Sequence, residues 1–118
     1  MFPKSKIDFS LLGSASAEAT FYIPVPVRCT IKGVQAACSA DPGDDETITV
    51  SKATTTVGVL TFGNDIAAGA TGVYAKDSTG GETIFDAGDV IKVVISNLTA
   101  AATFCGYIEL DEYARTKQ

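Results

Sequence analysis

The sequence contains no histidine and no tryptophan, and only 19% of its 118 residues are charged. Without histidine, Ser-His-Asp and Cys-His catalytic arrangements are excluded, and the side chain that most often acts as a general base near neutral pH is missing. No pair of carboxylates stands out for glycoside hydrolysis, and no tryptophan is present to stack on a sugar ring. We therefore expect a protein that is not an enzyme and that uses no cofactor.

Cysteine is also scarce, and its distribution predicts neither a disulfide framework nor a zinc site. Cys29, Cys38 and Cys105 form an odd set with no metal-binding spacing. We interpret them as small buried apolar side chains, and leave open that one pair is bridged. The segment 41–46 carries Asp41, Asp44, Asp45 and Glu46 but lacks the spacing of an EF-hand, so we interpret it as a charged turn, with calcium binding as the alternative.

The charged residues give a net charge of −5, from 14 acidic and 9 basic side chains. An acidic chain is a poor partner for nucleic acid, whose phosphates require a basic surface. Several basic residues lie near the two chain ends, which suggests two arms, 1–6 and 115–118, that are mobile in solution and bind an acidic surface. Solvated chain ends are the alternative interpretation. The residues assigned to this contact are Phe2, Lys4, Lys6, Arg115 and Lys117.

Long apolar runs are absent as well. No stretch approaches the roughly 20 apolar residues that a membrane-spanning helix needs. The N-terminus also lacks the basic start and apolar run of a signal peptide. We expect no contact with a membrane, and synthesis in a reducing cytoplasm.

Alternation of apolar and polar residues, the period of a half-buried β-strand, runs through most of the chain. Turns rich in glycine, asparagine and aspartate separate these segments. The pattern predicts one domain over residues 1–118, an all-β antiparallel sandwich of jelly-roll type with about eight strands. The predicted strands cover 7–11, 19–23 (an edge strand, because of its prolines), 27–38 with a bulge at Gly33, 48–50, 57–62, 73–75, 90–95 and 104–110.

The same alternation predicts the core and one structured turn. In the turn that precedes residue 90, Gly88 is free to adopt positive φ and Asp89 is able to hydrogen-bond the turn backbone. The predicted core consists of Phe9, Phe21, Ile31, Ile48, Leu60, Ile91, Val93, Phe104 and Ile108.

Residues 20–34, with the sequence TFYIPVPVRCTIKGV, resemble the early strands of the small capsid decoration (cement) proteins of tailed bacteriophages. In that family an aromatic strand with paired prolines runs into a strand ending in Gly-Val. The turn at 87–91 and the strand at 104–110 are similar to later strands of such jelly rolls. The resemblance implies a virion protein that binds the major capsid protein on the outside of a phage head and stabilises contacts between capsid subunits. It implies no catalytic residue.

Two other classes remain open at this point. One is the receptor- or glycan-binding jelly-roll head of a phage fibre, although the four tyrosines are scattered along the sequence. The other is an oligomeric cell-surface or signalling jelly roll, which the missing signal peptide disfavours.

Two predicted segments, 90–95 and 21–27, are apolar on both faces. A single sandwich core covers only one face of a sheet. We therefore expect a homo-oligomer, since exposing both strands would invite aggregation. The resemblance favours a trimer over a dimer. The alternative is that the loop at 63–72 covers the second face. The residues assigned to the oligomer interface are Tyr22, Val25, Val90 and Val94.

Overall fold

The computed structural model describes residues 5–13, 19–39, 46–63, 67–77, 83–96 and 102–112, with backbone alone for 5–13, 19, 96, 102 and 103. These residues form eight strands and no helix, so the chain is all-β as predicted. The described residues include no helix with the length and apolar character needed to cross a membrane. The strands are β1 (Ser5–Gly13), β2 (Ala19–Pro24), β3 (Cys29–Cys38), β4 (Thr47–Lys52), β5 (Thr55–Thr61), β6 (Val73–Lys76), β7 (Val90–Ser96) and β8 (Ala102–Glu112).

The strands form two antiparallel sheets that pack against each other. One sheet has three strands in the order β1-β8-β3, and the other has five in the order β2-β7-β4-β5-β6. The pairs β1 with β8, β2 with β7 and β4 with β5 are nested in the sequence, as in one long hairpin rolled into two layers. This connectivity is that of a jelly roll, and β2 lies at a sheet edge as its prolines predict.

The remaining pair of the nested set joins β3 to the segment that enters β6. Ala37 forms an isolated antiparallel bridge with Thr71. The backbone N–H of Cys38 donates to the carbonyl of Ala70 at 3.2 Å, and the N–H of Gly69 donates to the carbonyl of Cys38 at 2.8 Å. The chain therefore contacts the three-stranded sheet before it joins the edge of the five-stranded sheet as β6.

Because of the strand register, alternate residues of each strand point into the core and the residues between them point outward. In β7, Ile91, Val93 and Ile95 are fully buried, whereas Val90 is 39% exposed on the opposite side. The predicted bulge in β3 is confirmed, because the register with β8 shifts between Ile31 and Gly33. The link between β4 and β5 is shorter than the sequence suggested. Lys52 pairs directly with Thr55, and Ala53 takes a φ of 53° in the turn.

The core lies between the two sheets and is built from aliphatic residues and three buried phenylalanines. Phe62 and Phe104 pack with ring centroids 5.3 Å apart. Seven of the nine predicted core residues are buried, while Phe21 is partly buried against the core and the side chain of Phe9 lies outside the description. Phe62 and Phe85 were not among the predicted core residues, although both are fully buried.

The three cysteines are free thiols, and the prediction that all are buried is wrong for one of them. Cys29 and Cys38 lie in the core, but Cys105 follows the buried Phe104 in β8 and is therefore directed outward and exposed. Burial, and the nearby Glu112 carboxylate, raise the pKa of Cys29 to about 11. This thiol therefore stays protonated at neutral pH and behaves as a small apolar side chain.

We predict that truncating Phe104 to alanine destabilises the fold by about 3–5 kcal/mol, as for other buried aromatics, because it removes a ring that fills the centre of the core. The matched control is Tyr22→Ala, since Tyr22 is 65% exposed, and it should cost about 1 kcal/mol or less. Urea unfolding followed by circular dichroism measures both. Equal losses of unfolding free energy in the two variants would contradict this assignment of the core.

Candidate binding face

The outer side of the five-stranded sheet carries an uncharged surface, here called the threonine–valine face. Val94 in β7 pairs with Thr20 in β2 and with Thr49 in β4, and residues directly opposite each other project on the same side of a sheet. The intervening residues on these strands, such as Ile48 and Leu60, are buried in the core. The face consists of Thr20, Thr47, Thr49, Val59, Thr61, Val73, Ala75 and Val94.

Four of the eight residues of this face are exposed and the other four are half-buried. Val73 is 74% exposed at the sheet edge, and Thr20, Thr61 and Ala75 are also exposed. None of the eight residues carries a charge, although charged residues are the usual means of keeping a sheet surface from associating. An uncharged β-surface of this kind is typical of a contact with another protein.

A cleft lies at one end of the threonine–valine face, and we call it the Tyr22 cleft. Tyr22 of β2 is paired with Lys92 of β7, and the next outward pair along these strands is Pro24 with Val90. The cleft has a volume of about 290 Å³. Its walls are formed by Tyr22, Lys52, Ala53, Asp89, Val90 and Lys92.

The turn that leads into β7 forms one wall of the cleft and is held by its own hydrogen bonds. The Asp89 carboxylate accepts a hydrogen bond from the backbone N–H of Asp86 at 2.9 Å, and Gly88 has a φ of 91°. The positive φ of Gly88 and the bond between Asp89 and the turn backbone both agree with the sequence-based prediction. The Gly88 N–H donates to the Val25 carbonyl, and the Val25 N–H donates to the Asp89 carbonyl, each at 2.9 Å. These bonds fix the turn against the chain that leaves β2.

Lys52 ties the β4–β5 hairpin to this turn. Its ammonium group donates to the carbonyl of Ile84 at 2.8 Å and lies 3.3 Å from the Asp89 carboxylate. It also lies 5.6 Å from the centre of the Phe85 ring. The hydrogen bond from Asp86, together with Lys52, holds the pKa of Asp89 below its ordinary value. Asp89 is thus ionised and largely neutralised by its partners.

Lys92, in contrast, forms no ion pair among the residues that the structure describes. Its neighbours across the outer face are Tyr22 and Ser51, neither of which carries a charge. The cleft therefore has an internally balanced pair, Lys52 with Asp89, at the turn. Across from Tyr22 it has Lys92, which has no ion pair with a described residue.

Of the four residues assigned to an oligomer interface, the structure places three on this outer side. Tyr22 is 65% exposed, Val90 is 39% exposed, and Val94 is half-buried on the threonine–valine face. Val25 does not belong there, since it is only 2% exposed and contributes to the core. The chain turns after Pro24, so the alternation of β2 does not continue through Val25.

The predicted covering of this face by the loop at 63–72 is not seen in the part of that loop that is described. Residues 67–72 run beside the end of β3, in the other sheet, where Gly69 and Ala70 bond to Cys38. They lead into the edge strand β6 rather than across the outer side of β7. The central strands of the threonine–valine face are thus left uncovered by this segment.

The predicted basic arms fall mostly outside the described residues, and one of them is shorter than expected. Phe2, Lys4, Arg115 and Lys117 are not described, whereas Lys6 belongs to β1, where its backbone is paired with Glu109. The interpretation of 1–6 as a mobile arm is therefore wrong for Ser5 and Lys6. The acidic segment 41–45 also lies outside the description, and Glu46 is 1% exposed.

Strand pairing brings both ends of the described chain to one end of the sandwich. Ser5 at the start of β1 pairs with Leu110 near the end of β8. Cys29 pairs with Glu112 and also bridges to Phe85, which begins the turn of the cleft. The chain ends and the Tyr22 cleft therefore lie at the same end of the molecule, which we call the terminal end.

No protein-family model matches this chain, and no curated protein matches it. Within the described ranges, no three cysteine, aspartate or glutamate side chains lie together in a way that would hold a metal ion. The features of this chain that bear on function are the outer face, the terminal end and the sequence resemblance.

We predict that the Asp89→Asn variant is less stable than the wild type at pH 7 and equally stable in strong acid. Because the folded-state pKa of Asp89 is lowered, its stabilisation is present above about pH 4 and is lost as the pH falls through the folded-state value. Urea unfolding of both proteins between pH 7 and pH 2 measures the difference.

The matched control for this series is Asp111→Asn, which removes an exposed carboxylate of β8, in the three-stranded sheet and outside the hydrogen-bonded turn. At pH 7 its free energy of unfolding should differ less from that of the wild type than the free energy of Asp89→Asn does. A stability difference for Asp89→Asn that stays constant down to pH 2 would contradict the ionic role of Asp89.

Proposed function

We propose that this chain is a structural decoration protein that binds the major capsid protein on the outer surface of a phage head and stabilises contacts between capsid subunits. In this proposal it has no catalytic role. The observation that carries the proposal is the threonine–valine face, a broad sheet surface without charge on a chain whose net charge is −5. The sequence resemblance of residues 20–34 supports the choice of a capsid.

The threonine–valine face supports self-association, as the sequence predicted for the second side of β7. Val94 lies within it, between Thr20 and Thr49, and Val73 extends it to the exposed edge. Burying such a surface between identical subunits would remove an aggregation-prone sheet from solvent. We propose a closed homo-oligomer, with a trimer favoured over a dimer by the resemblance.

The terminal end supports contact with the shell. The two basic chain ends attach there, and the described basic side chains Arg28, Lys52 and Lys92 lie at the same end. Arg28 is 58% exposed and pairs with Asp86 at 3.3 Å. Arg28 and Lys52 are paired there with Asp86 and Asp89, so the cations that would attract an acidic surface are Lys92 and those of the two chain ends.

The Tyr22 cleft favours a second candidate, the receptor- or glycan-binding head of a phage fibre. Tyr22 offers an exposed aromatic ring next to the polar groups Lys92 and Asp89. An aromatic ring beside hydrogen-bonding groups is a common arrangement for sugar binding. A chain located on fibres instead of the head would establish this alternative.

We predict that Val94→Glu prevents self-association, because it places a charge on the threonine–valine face between Thr20 and Thr49. Wild-type protein at micromolar concentration should give a multiple of 12.2 kDa by light scattering after size exclusion, with three copies favoured. The Val94→Glu variant should give 12.2 kDa. Cys105→Glu is the matched control, since it adds the same charge on the outer side of the other sheet.

Attachment to the shell is measured with the same proteins by co-sedimentation with heads of the phage that encodes the chain. Wild type and Cys105→Glu should sediment with the heads, and Val94→Glu should remain largely in the supernatant. Replacing Lys4, Lys6, Arg115 and Lys117 by glutamine should weaken attachment, as should added salt. A wild type that stays monomeric and in the supernatant would contradict the proposal.

A further inference from the structure

We propose that the Tyr22 cleft binds a carboxylate-bearing sugar unit, of the uronic or sialic acid class. This inference names the ligand class for the second candidate function. It rests on the cleft alone and not on capsid binding. The cleft volume of about 290 Å³ lies just below the range for small-molecule sites, roughly 300–1,000 Å³. It is thus suited to one or two ring-sized units and not to an extended ligand.

The apolar part of the cleft suits a ring with one hydrophobic side. Tyr22 is held on β2 opposite Lys92 and keeps 65% of its surface exposed, so its ring is available for stacking. Val90 and Ala53 extend this apolar surface along the wall. An aromatic ring beside small aliphatic side chains contacts the C–H side of a sugar, and leaves the hydroxyl groups at its rim.

The polar groups of the cleft are complementary to a ligand that has both a negative charge and hydrogen-bond donors. Lys92 has no ion pair among the described residues and offers its ammonium group beside the Tyr22 ring. Asp89, on the other side of Val90, accepts bonds from Asp86 and Lys52 through one carboxylate oxygen. Its second oxygen is an acceptor for sugar hydroxyls.

The same arrangement disfavours simpler ligands. A free phosphate has no apolar ring side to contact Tyr22 and Val90. A neutral sugar would leave Lys92 without an anionic partner, and a small carboxylate such as acetate would leave the ring and hydroxyl contacts unused. A ligand that combines one carboxylate with a hydroxylated ring satisfies both ends of the cleft.

The test is a titration of the free, isotope-labelled protein followed by two-dimensional NMR of backbone amides. The probes are glucuronate, glucose and acetate, which separate the whole ligand from its ring and from its charge. We expect glucuronate to shift the amides of Tyr22, Val90 and Lys92. Glucose and acetate should bind about tenfold more weakly, since each lacks one set of contacts.

Two variants and one control locate the site. Lys92→Gln should weaken glucuronate binding about fivefold or more, by removing the charge-assisted contact, and Tyr22→Ala should weaken it by removing the stacking surface. Lys76→Gln removes the same charge from β6, outside the cleft, and should have no effect. The amide spectrum of each variant also reports whether it remains folded.

The inference is overturned by either of two results. One is no shift at the cleft with tens of millimolar glucuronate, and the other is equal shifts with acetate, which would show only a bare ammonium group. Equal weakening by Lys76→Gln would likewise overturn it, since attraction would then depend on net charge alone. Because binding is measured on the free protein, a failure here is separate from a failure to attach to phage heads.

Discussion

The antiparallel register of β7 between β2 and β4 is the constraint on which the rest of the structure depends. A shift by one residue would turn Ile91, Val93 and Ile95 outward and bring Lys92 into the core, so the hydrophobic pattern excludes such a slip. The register also determines what the opposite side presents. With the core residues inward, the outward positions of these strands create a sheet face of threonine and valine, with a single lysine at its end.

Much of this architecture is predictable from the sequence, because period-two alternation reports directly on which side chains are buried. The bulge at Gly33, the positive φ of Gly88 and the turn role of Asp89 also follow from local chemistry, and the structure confirms them. Residue type was a poorer guide to burial than the alternation. Cys105 was expected to be buried from its residue type, yet its position next to Phe104 places it outside.

The candidate cleft was not predictable, because its parts come together only through long-range pairing. Lys52 contacts Ile84 and Asp89, more than thirty residues away in sequence, and no local pattern signals that contact. The same holds for Val25, which looks like an outward residue of an apolar run but turns into the core when its backbone bonds to the turn of β7. Sequence patterns report the strand faces, whereas the ends of strands depend on the assembled fold.

We propose that this protein acts through the outer face of the five-stranded sheet, packed against other protein on the surface of a phage head. Cryo-electron microscopy of purified heads from the encoding phage tests it most directly. The account predicts density for the chain outside the shell, with Val94 and Thr49 buried against a neighbouring subunit and the terminal end directed at the capsid. A chain absent from heads, or bound with this face open to solvent, would contradict it.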